Sequence, residues 1–421
     1  MSHDFSIDRL KGHRRTGLGW RLSLAKRMVL KTLGQLRVGA LTVIDGQERY
    51  VFGESPAQTD LVAELRVHDP VAYAEVAFGG SVGSGEAYMS GYWSTPDLTA
   101  VTQLFVRNMD ALDAMDESQS LFGQWLLKLF ARMNRNSKEG AKRNIAAHYD
   151  LGNDFFRLFL DPRMMYSSAV YHHKGASLEE AARYKLQRIC EKLALSEQDH
   201  LLEIGTGWGG LALYAAEQYG CRVTTTTISH AQWQHATEQV KRRGLQGRVT
   251  VLFEDYRELT GTFDKLVSVE MIEAVGHEHF REYFAQCSQR LKDNGLMLLQ
   301  AITIADQRYE RARKTVDFIQ RYIFPGGALP SVDLMTRLTA RHTDLNLIHM
   351  EDIGLHYART LRDWRMAFED NLSKVKAMGF DDRFVRMWRY YLCYCEGGFM
   401  ERSIGTAQLL LAKPAYRPAG I

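Results

Sequence analysis

The stretch that decides the fold is Leu201-Leu202-Glu203-Ile204-Gly205-Thr206-Gly207-Trp208-Gly209-Gly210. It is typical of a buried strand that stops at an acidic residue, turns through glycines and leads into a helix, which we expect over residues 211–218. Glycine lets the backbone turn sharply and approach a ligand closely, because it has no Cβ. The start of a helix offers unpaired N–H groups and a positive dipole end. Open α/β sheets bind nucleotide-like ligands at such a turn.

The spacing of the glycines does not by itself choose the ligand. Gly205-x-Gly207-x-x-Gly210 also fits the dinucleotide fingerprint, and a glycine-rich turn without a nucleotide role is a further alternative. Two features favour S-adenosylmethionine (SAM). Glu203 precedes the first glycine, where it can pair with the SAM amino group or fix the loop. The next strand ends in Thr227 and Ser229, without the acid that an NAD ribose requires.

The remainder of this region alternates between strands and helices. Strands are predicted over 201–204, 222–227, 249–253, 265–269 and 296–302, and helices over 211–218, 231–243 and 277–291. This alternation predicts an α/β fold with a doubly wound, mostly parallel, Rossmann-like sheet. Asp255 follows the third strand, where it could accept a hydrogen bond from an adenine amino group; a solvated acidic turn is the alternative.

The chain length indicates two domains, because 421 residues exceed what one small core usually holds. We place a smaller N-terminal α+β domain at 1–131, a basic linker at 132–143 and the α/β domain at 144–421. The N-terminal pattern predicts a helix over 17–38, a hairpin over 40–52 with an Asp-Gly turn, a strand over 61–67 and a helix over 98–108. A short helix over 70–78 is expected to end before Gly79, and Gly83 and Gly85 are expected in turns.

Composition and charge exclude several classes of protein. The formal charge of +3 is mild, and we expect no nucleic-acid partner. The five cysteines form no paired framework, which favours free thiols in a reducing compartment, and no metal site is predicted. No apolar run reaches the roughly 18 residues of a membrane span. The basic amphipathic helix over 17–38 could lie on an anionic membrane or pack its apolar face inward.

A set of motifs distributed along the chain occurs together in one known family. The motifs are His148-Tyr149-Asp150-Leu151-Gly152-Asn153, Tyr166-Ser167, Glu203 to Gly210, Thr227-Ile228-Ser229 with Gln232, Met271-Ile272-Glu273-x-Val275-Gly276, Tyr322-Ile323-Phe324-Pro325-Gly326 and Tyr390-Tyr391-Leu392-x-x-Cys395. In combination they resemble those of the cyclopropane fatty acid synthases, SAM-dependent enzymes that act on unsaturated acyl chains of phospholipids. The resemblance covers about residues 140 to 415, and the N-terminal domain is similar to the smaller lipid-engaging domain of two-domain members.

The resemblance implies roles for particular residues. The candidate SAM-binding residues are Tyr166, Ser167, Glu203, Gly205, Gly207, Trp208, Gly209, Thr227, Ser229, Gln232 and Asp255. The family also holds a bicarbonate ion beside the methyl group, and its expected holders here are Glu273, Tyr357 and the backbone at Ile302 and Ser168. Cys395 matches a cysteine assigned to the family's active site, with a packed core thiol as the alternative.

Two positions depart from the family pattern. Ser168 stands where the family usually has cysteine, a mild change if only the backbone amide is used. Gln300 stands where the family usually has histidine. Glutamine donates a hydrogen bond but does not titrate near neutral pH. The candidate catalytic residues are therefore Glu273, Tyr357, Gln300, Ser168, Ile302 and Cys395, and bicarbonate or Glu273 itself could remove the proton.

The chemistry implied by the resemblance is methyl transfer to a double bond. The resulting carbocation would be stabilised by aromatic rings, among them Tyr166, Tyr322 and Phe324. Proton loss would give a cyclopropane or, from a chain carbon, a methyl-branched product. A lipid-binding protein without catalysis is the rival hypothesis. The expected partners are unsaturated phospholipid acyl chains and a membrane surface, with a homodimer possible. The expected location is the cytoplasm, on the inner face of the membrane. The apolar loop over 323–330 could act as a lid or be a buried surface loop.

Overall fold

A computed structural model describes residues 15–109 and 151–418. These residues form two compact units, which are called the N-terminal unit and the α/β unit below. The N-terminal unit contains residues 15–109 and also Asp382–Tyr390, a membership that no sequence pattern indicated. The α/β unit contains residues 151–381 and 391–418. The predicted domain boundary at 131, the linker at 132–143 and the motif residues 148–150 lie outside the described residues and stay predictions.

The N-terminal unit combines three helices with a small mixed sheet, as predicted. Its elements are α1 (Arg15–Leu33), β1 (Ala40–Asp45), β2 (Glu48–Gly53), β3 (Val62–Val67), α2 (Val71–Met89), β4 (Trp93–Ser94) and α3 (Leu98–Arg107). The strand order is β2-β1-β3-β4, with β1 antiparallel to β2 and parallel to β3. The predicted hairpin is confirmed, because β1 and β2 pair from Ala40–Gly53 to Asp45–Glu48 around the Asp-Gly turn.

Helix α1 packs its apolar face inward. Ala25, Val29 and Leu33 are buried at the helical spacing that the sequence showed. On the polar side, the Lys26 ammonium lies 2.6 Å from a carboxylate oxygen of Asp45 and 2.6 Å from one of Glu48. Of the two alternatives for this helix, inward packing is therefore what the structure shows.

The prediction that a short helix ends before Gly79 is wrong. Helix α2 continues to Met89 after a break at Gly80, whose φ of 55° and ψ of −135° are not helical. Gly83, predicted in a turn, lies in the second half of α2, as does Gly85. A Cβ on Gly83 would lie 2.0 Å from the carbonyl oxygen of Glu75, so the two halves meet at a distance that only glycine permits.

The α/β unit is built around one seven-stranded sheet. Its strands are β5 (His200–Ile204), β6 (Arg222–Thr226), β7 (Val249–Leu252), β8 (Phe263–Val269), β9 (Leu291–Ile304), β10 (Asn346–Asp352) and β11 (Ile404–Ala412). Its helices are α4 (Asn153–Phe156), α5 (Leu178–Lys192), α6 (Gly210–Tyr219), α7 (His230–Arg242), α8 (Phe280–Gln289), α9 (Asp306–Ala312), α10 (Phe318–Tyr322), α11 (Val332–His342), α12 (Gly354–Asp370) and α13 (Leu372–Ala377). The last helix, α14 (Asp382–Met400), ends in this unit.

The sheet order is β10-β11-β9-β8-β5-β6-β7. Strands β9, β8, β5, β6 and β7 are parallel neighbours, and β11 and β10 join as antiparallel strands. The predicted doubly wound, mostly parallel sheet is confirmed. The sequence analysis predicted neither β10, whose side chains are mostly exposed, nor β11.

Each face of the sheet carries its own core, because successive strand residues point to opposite faces. Leu202, Leu266 and Leu299 belong to one buried cluster, which also contains Phe280 and Phe284 of α8. Their strand neighbours Leu201, Val267 and Leu298 belong to the other cluster, together with residues of α5 and α6. Parallel strands buried on both faces read as continuous apolar runs, as these do.

Within residues 15–109 and 151–418, no helix is both long and apolar enough to cross a membrane.

Candidate active site

The glycine turn after β5 has the geometry that the sequence predicted. Gly205, Gly207 and Gly209 have φ angles of 102°, 52° and 89°, in the left-handed region that favours glycine. Gly210 opens α6, and a Cβ there would lie 2.5 Å from the sulfur of Met165. A Cβ on Gly207 would meet nothing within 4 Å, so the space beside the turn is open. The turn thus exposes backbone to a neighbouring ligand at the carboxyl end of β5.

Glu203 is connected to the glycine turn by side-chain hydrogen bonds. The hydroxyl of Thr225 on β6 donates a hydrogen bond of 2.6 Å to Glu203 Oε2, and Thr206 Oγ1 lies 2.7 Å from the same hydroxyl. Burial raises the pKa of the Glu203 carboxyl to about 8, against the opposing effects of Thr225 and Lys185. The structure thus shows a loop-fixing role for Glu203, whereas its pairing with a SAM amino group stays a prediction.

Thr227, Ser229 and Gln232 come together at the start of α7. The Ser229 hydroxyl oxygen caps the helix by accepting a hydrogen bond from the backbone N–H of Gln232. The Thr227 hydroxyl donates to the side-chain oxygen Oε1 of Gln232 at 3.0 Å. Asp255 is buried, and its two carboxylate oxygens accept hydrogen bonds of 2.8 and 2.7 Å from the Arg257 guanidinium. The predicted contact of Asp255 with an adenine amino group stays a prediction.

Tyr166, Ser167 and Trp208 each form a side-chain hydrogen bond. The Tyr166 hydroxyl is 2.9 Å from that of Tyr391. Trp208 Nε1 donates to Asn153 Oδ1 at 2.7 Å. Ser167 Oγ accepts from the fully buried ammonium of Lys185 at 2.6 Å. Burial lowers the pKa of Lys185 to about 8, against the attraction of the surrounding carboxylates.

The centre of the polar site is Glu270, which directly follows β8. Its Oε1 accepts from the Ser168 backbone N–H at 2.9 Å and from Gln300 Nε2 at 2.7 Å. Its Oε2 accepts from the Tyr357 hydroxyl at 2.8 Å. Three of the residues predicted to be catalytic therefore converge on a carboxylate that was not among them. Ser168 contacts Glu270 through its backbone N–H, and its role in catalysis stays a prediction.

A chain of hydrogen bonds fixes the direction of the Gln300 amide. Lys192 Nζ, which can only donate, gives a hydrogen bond of 2.6 Å to Gln408 Oε1. Gln408 Nε2 in turn donates to Gln300 Oε1 at 2.9 Å. Gln300 therefore presents its N–H group to Glu270, and Glu270 Oε1 must accept. The backbone N–H of Glu270 also donates a hydrogen bond of 2.8 Å to the backbone carbonyl oxygen of Gln300.

The backbone and charge state of Glu270 are both unusual. Its φ is 50°, a left-handed conformation that is uncommon for a residue with a Cβ. Burial raises the pKa of the Glu270 carboxyl, while Lys185 and the donors Gln300, Ser168 and Tyr357 oppose that rise. Burial and the neighbouring Glu270 raise the pKa of the Tyr357 phenol, so its hydroxyl keeps the proton that it donates.

Glu273 lies three residues further on, in a short 3₁₀ helix (Ile272–Ala274). The backbone N–H of Ile302 donates to its Oε1, so these two predicted residues are in contact. Its Oε2 is buried without a hydrogen-bond partner among the described residues. Burial, followed by repulsion from Glu270, raises the pKa of the Glu273 carboxyl to about 8. The expected holders of an ion thus fall into two groups, one around each glutamate.

Cys395 on α14 is half-buried. Burial raises the pKa of its thiol, so the group is neutral at physiological pH. A neutral thiol is a poor nucleophile, which favours the packing alternative. Its assignment to catalysis stays a prediction.

Aromatic rings surround the polar site. The Tyr166 ring centroid lies 5.2 Å from that of Trp364 and 6.3 Å from that of Phe324. The Tyr357 ring is stacked on Phe399 with centroids 4.5 Å apart. Rings at these distances contact one another, so a cation would be stabilised beside this cluster and not between its rings.

The apolar loop over 323–330 is fastened to the site. Ile323 and Ala328 are buried, and the Ala328 N–H donates to the Glu273 carbonyl oxygen at 2.8 Å. The Gln320 amide also donates to Gly327 O at 2.8 Å. The loop therefore covers the Glu273 segment, which fits both alternatives, a lid and a buried surface loop.

A cavity of about 500 Å³ borders the glycine turn at Trp208 and Gly210. Its lining includes the basic residues Arg157, Arg163, Arg242 and Arg243. Its basic lining does not suit an acyl chain, and the apolar acyl-chain pocket that the resemblance implies for residues 144–421 stays a prediction.

Sequence reasoning missed Glu270 and Lys185. Glu270 stood in a stretch recognised as the carboxyl end of the fourth strand, so its position gave a signal. Its hydrogen bonds to Ser168, Gln300 and Tyr357 depend on tertiary contacts that spacing does not reveal. Lys185 carried no signal, because a lysine in an amphipathic helix is ordinarily on the exposed face.

Comparisons with known proteins point to one family. A model of the family described as mycolic acid cyclopropane synthetase matches residues 136–409. The chain is 38% identical over 361 residues to the tuberculostearic acid methyltransferase UfaA1 of Mycobacterium tuberculosis, an alignment that covers 83% of each chain. It is 37% identical over 353 residues to the cyclopropane-fatty-acyl-phospholipid synthase of Escherichia coli strain K12, covering 83% of this chain and 88% of that one.

Solved structures give the same result for the fold. The mycolic acid cyclopropane synthase CmaA1 complexed with SAH and CTAB superposes with a TM-score of 0.61 and 31% identity, covering 65% of this chain and 98% of that chain. The cyclopropane synthase MmaA2 from Mycobacterium tuberculosis superposes with a TM-score of 0.60 and 30% identity, again over 65% of this chain and 98% of that chain. The predicted Rossmann-like fold of a SAM-dependent methyltransferase is confirmed by these similarities.

Proposed function

The chain belongs to the mycolic acid cyclopropane synthetase family of SAM-dependent methyltransferases, and from this premise we propose that it methylates a double bond in an unsaturated acyl chain of a membrane phospholipid. The observation that carries the proposal is the convergence of the glycine turn, two buried carboxylates and a cluster of aromatic rings at the carboxyl ends of β5 and β8.

The residues around the glycine turn fit a SAM molecule. The open space beside Gly207 accommodates a ligand that contacts backbone, and Glu203 fixes the turn. When bound, SAM supplies an electrophilic methyl group on a sulfonium. The turn, Tyr166 and Ser167 would hold that group in line with the alkene, since an alkene is a poor nucleophile and requires close positioning.

The aromatic side chains fit the substrate side of the reaction. Methylation of an alkene leaves a positive charge on the acyl chain, and the rings of Tyr166, Trp364 and Phe324 offer their faces to it. An apolar site of this kind would have to keep out water, which would otherwise trap the cation as an alcohol. One carboxylate of the site then removes a proton.

We propose a cyclopropane as the product and a methyl-branched chain as the alternative. Both arise from one cation, and the C–H bond that loses its proton decides between them. Similar proteins carry both kinds of name, a cyclopropane-fatty-acyl-phospholipid synthase and a tuberculostearic acid methyltransferase. A lipid-binding protein without catalysis is the remaining alternative from the sequence.

The test is product analysis with the full chain. Vesicles of dioleoylphosphatidylglycerol are incubated with enzyme and SAM carrying a CD₃ methyl group, and fatty acid methyl esters are analysed by mass spectrometry. A ring retains two of the three deuterons, whereas a branch formed by loss of a chain proton retains all three. Distearoyl vesicles, which lack a double bond, serve as the control. SAM binding by calorimetry without any product or SAH would refute the enzymatic proposal.

Membrane association is a further part of the proposal. On α1, Trp20 is 61% and Leu24 44% exposed, and the exposed basic residues Arg27 and Lys31 lie on the same helix. Apolar and basic groups together suit an anionic membrane surface. We therefore propose peripheral association with the cytoplasmic face, and a homodimer. Cosedimentation with anionic vesicles, weakened by salt, would support the association, and equal binding to neutral vesicles would contradict its electrostatic part.

A further inference from the structure

The residues expected to hold a bicarbonate ion do not have free donors for it in this chain. The Ser168 N–H and the Tyr357 hydroxyl donate to Glu270, and the Ile302 N–H donates to Glu273. Gln300, which stands in place of the expected histidine, also donates to Glu270. The site therefore does not fit bicarbonate as an added ion.

We propose that the side chain of Glu270 takes the place of bicarbonate and is itself the catalytic base, an inference that rests on the proposed methyl transfer. A carboxylate and a bicarbonate ion share a planar O–C–O group that accepts hydrogen bonds in the same directions. Glu270 Oε1 accepts two donors and Oε2 accepts one, which is the arrangement that a bound ion would need. Here the anion is covalently attached to the chain.

The donors around Glu270 hold it in its ionised form. The Gln300 amide cannot turn its oxygen toward Glu270, because Gln408 already donates to that oxygen and is fixed by Lys192. A backbone N–H and a hydroxyl complete the set. The buried ammonium of Lys185 is a nearby positive charge that also favours the ionised carboxylate. Hydrogen-bond donors of this kind stabilise the ionised carboxylate without transferring a proton to it.

Glu273 is suited to a different role. Among the described residues its Oε2 has no hydrogen-bond partner, and the adjacent Glu270 carboxylate opposes a second negative charge. Two neighbouring buried carboxyl groups ordinarily share one negative charge. Because the hydrogen-bond donors surround Glu270, we infer that Glu270 carries the negative charge of the pair and that Glu273 carries the proton.

The backbone of Glu270 gives a second, independent observation. A φ of 50° is a costly conformation for glutamate, and glycine would adopt it more easily. Strain of this kind persists where the surrounding structure over-determines it, often at functional sites. The three hydrogen bonds to the carboxylate are what hold the residue in this conformation.

The step balances without any further reactant. The π electrons of the alkene form a bond to the methyl carbon, and the pair of the broken S–CH₃ bond stays on sulfur, which leaves SAH. Glu270 takes a proton either from the newly added methyl group, which leads to a ring, or from a chain carbon next to the cationic centre, which leads to an alkene. The electron pair of that C–H bond closes the ring or forms a new C=C bond, and the carboxylic acid afterwards loses its proton to solvent.

The experiment compares wild type, Glu270→Gln and Glu270→Gly in buffer freed of CO₂, with and without added bicarbonate or formate. The substrate is dioleoylphosphatidylglycerol vesicles, and SAH formation gives the rate. Glu270→Gly is expected to fold, because glycine suits the backbone angle, and SAM binding by calorimetry checks both variants. Glu278→Gln, at an exposed acid in the same segment, is the matched control.

We expect the wild-type rate to be independent of bicarbonate and the rate of Glu270→Gln to fall at least about 100-fold with SAM affinity retained. Glu270→Gly should lose activity similarly and recover at least about tenfold with formate or bicarbonate, since a small anion then fits the vacated position. A wild type that requires bicarbonate, a Glu270→Gln variant with full activity, or a Glu270→Gly variant that no anion restores would each overturn the inference. A wild type that forms no product from any unsaturated phospholipid would refute the proposed function instead.

Discussion

Glu273→Gln should make the stability of the protein less dependent on pH. The folded chain raises the pKa of Glu273 from 4.5 to about 8 through burial and the neighbouring Glu270. Between these values the folded state holds a proton that the unfolded state has released. The free energy of unfolding therefore falls as pH rises through this window, by about 1.4 kcal/mol per pH unit. Below pH 4.5 both states are protonated and the loss is absent.

The magnitude at neutral pH follows from the width of that window. From pH 4.5 to pH 7, the single carboxyl at Glu273 lowers the free energy of unfolding by about 3 kcal/mol. Glutamine has nearly the same shape and cannot ionise, and its side-chain oxygen can still accept from Ile302 N–H. We therefore expect Glu273→Gln to gain about 3 kcal/mol relative to wild type between pH 4.5 and pH 7.

The measurement is urea unfolding followed by circular dichroism at pH 4.5, 6, 7 and 8, with unchanged m-values required before midpoints are compared. Groups that do not interact with Glu273 contribute equally to both proteins and cancel in the difference. Glu278→Gln, which replaces an exposed acid, should show no such trend. A stability difference that is constant across pH, or one that turns against Glu273→Gln as pH rises, would show that Glu273 is ionised in the folded protein.

Three other substitutions test how the site is held together. Tyr357→Phe removes one donor to Glu270 and should lower kcat about tenfold, with the KM for SAM unchanged in initial-rate measurements. Gln300→Leu removes another donor, which raises the pKa of Glu270 further, so the acid limb of the pH–rate profile should move to higher pH. Gly210→Ala would place a Cβ 2.5 Å from the sulfur of Met165, and the SAM Kd from calorimetry should rise at least about tenfold. An unchanged kcat, an unmoved acid limb or an unchanged Kd, respectively, would contradict these expectations.

The sequence predicted the sheet of the α/β unit well, because both of its faces are buried. Continuous apolar strands such as Leu201–Ile204 leave few alternatives, and the glycine turn fixes where the first strand ends. The predicted end of α2 before Gly79 was wrong, because the pair Gly79 and Gly80 resembles a helix end. The chain breaks there and then continues as helix, because Gly83 allows the two halves to touch. Close packing of this kind has no signature in hydrophobic periodicity.

The sequence analysis named several residues that the structure brings into contact, but it did not name the residue that connects them. Tyr357, Gln300 and Ser168 were identified, and the structure brings them together. Their common acceptor, Glu270, was not identified, since a buried acid at the end of a strand and a solvated one read alike in a sequence. Its position depends on a left-handed backbone conformation that only the folded chain reveals.

The glutamine at position 300 becomes understandable once Glu270 is taken as the base. A titrating side chain is useful beside an exogenous anion, whose protonation state it can adjust. Beside a carboxylate that belongs to the chain, a neighbour has only to donate a hydrogen bond in a constant direction. Gln300 donates this hydrogen bond at every pH, because its side-chain oxygen accepts from Gln408, whose own oxygen accepts from Lys192. The absence of a titrating group at this position, which favoured a lipid-binding protein without catalysis, is therefore equally expected of an enzyme that carries its own base.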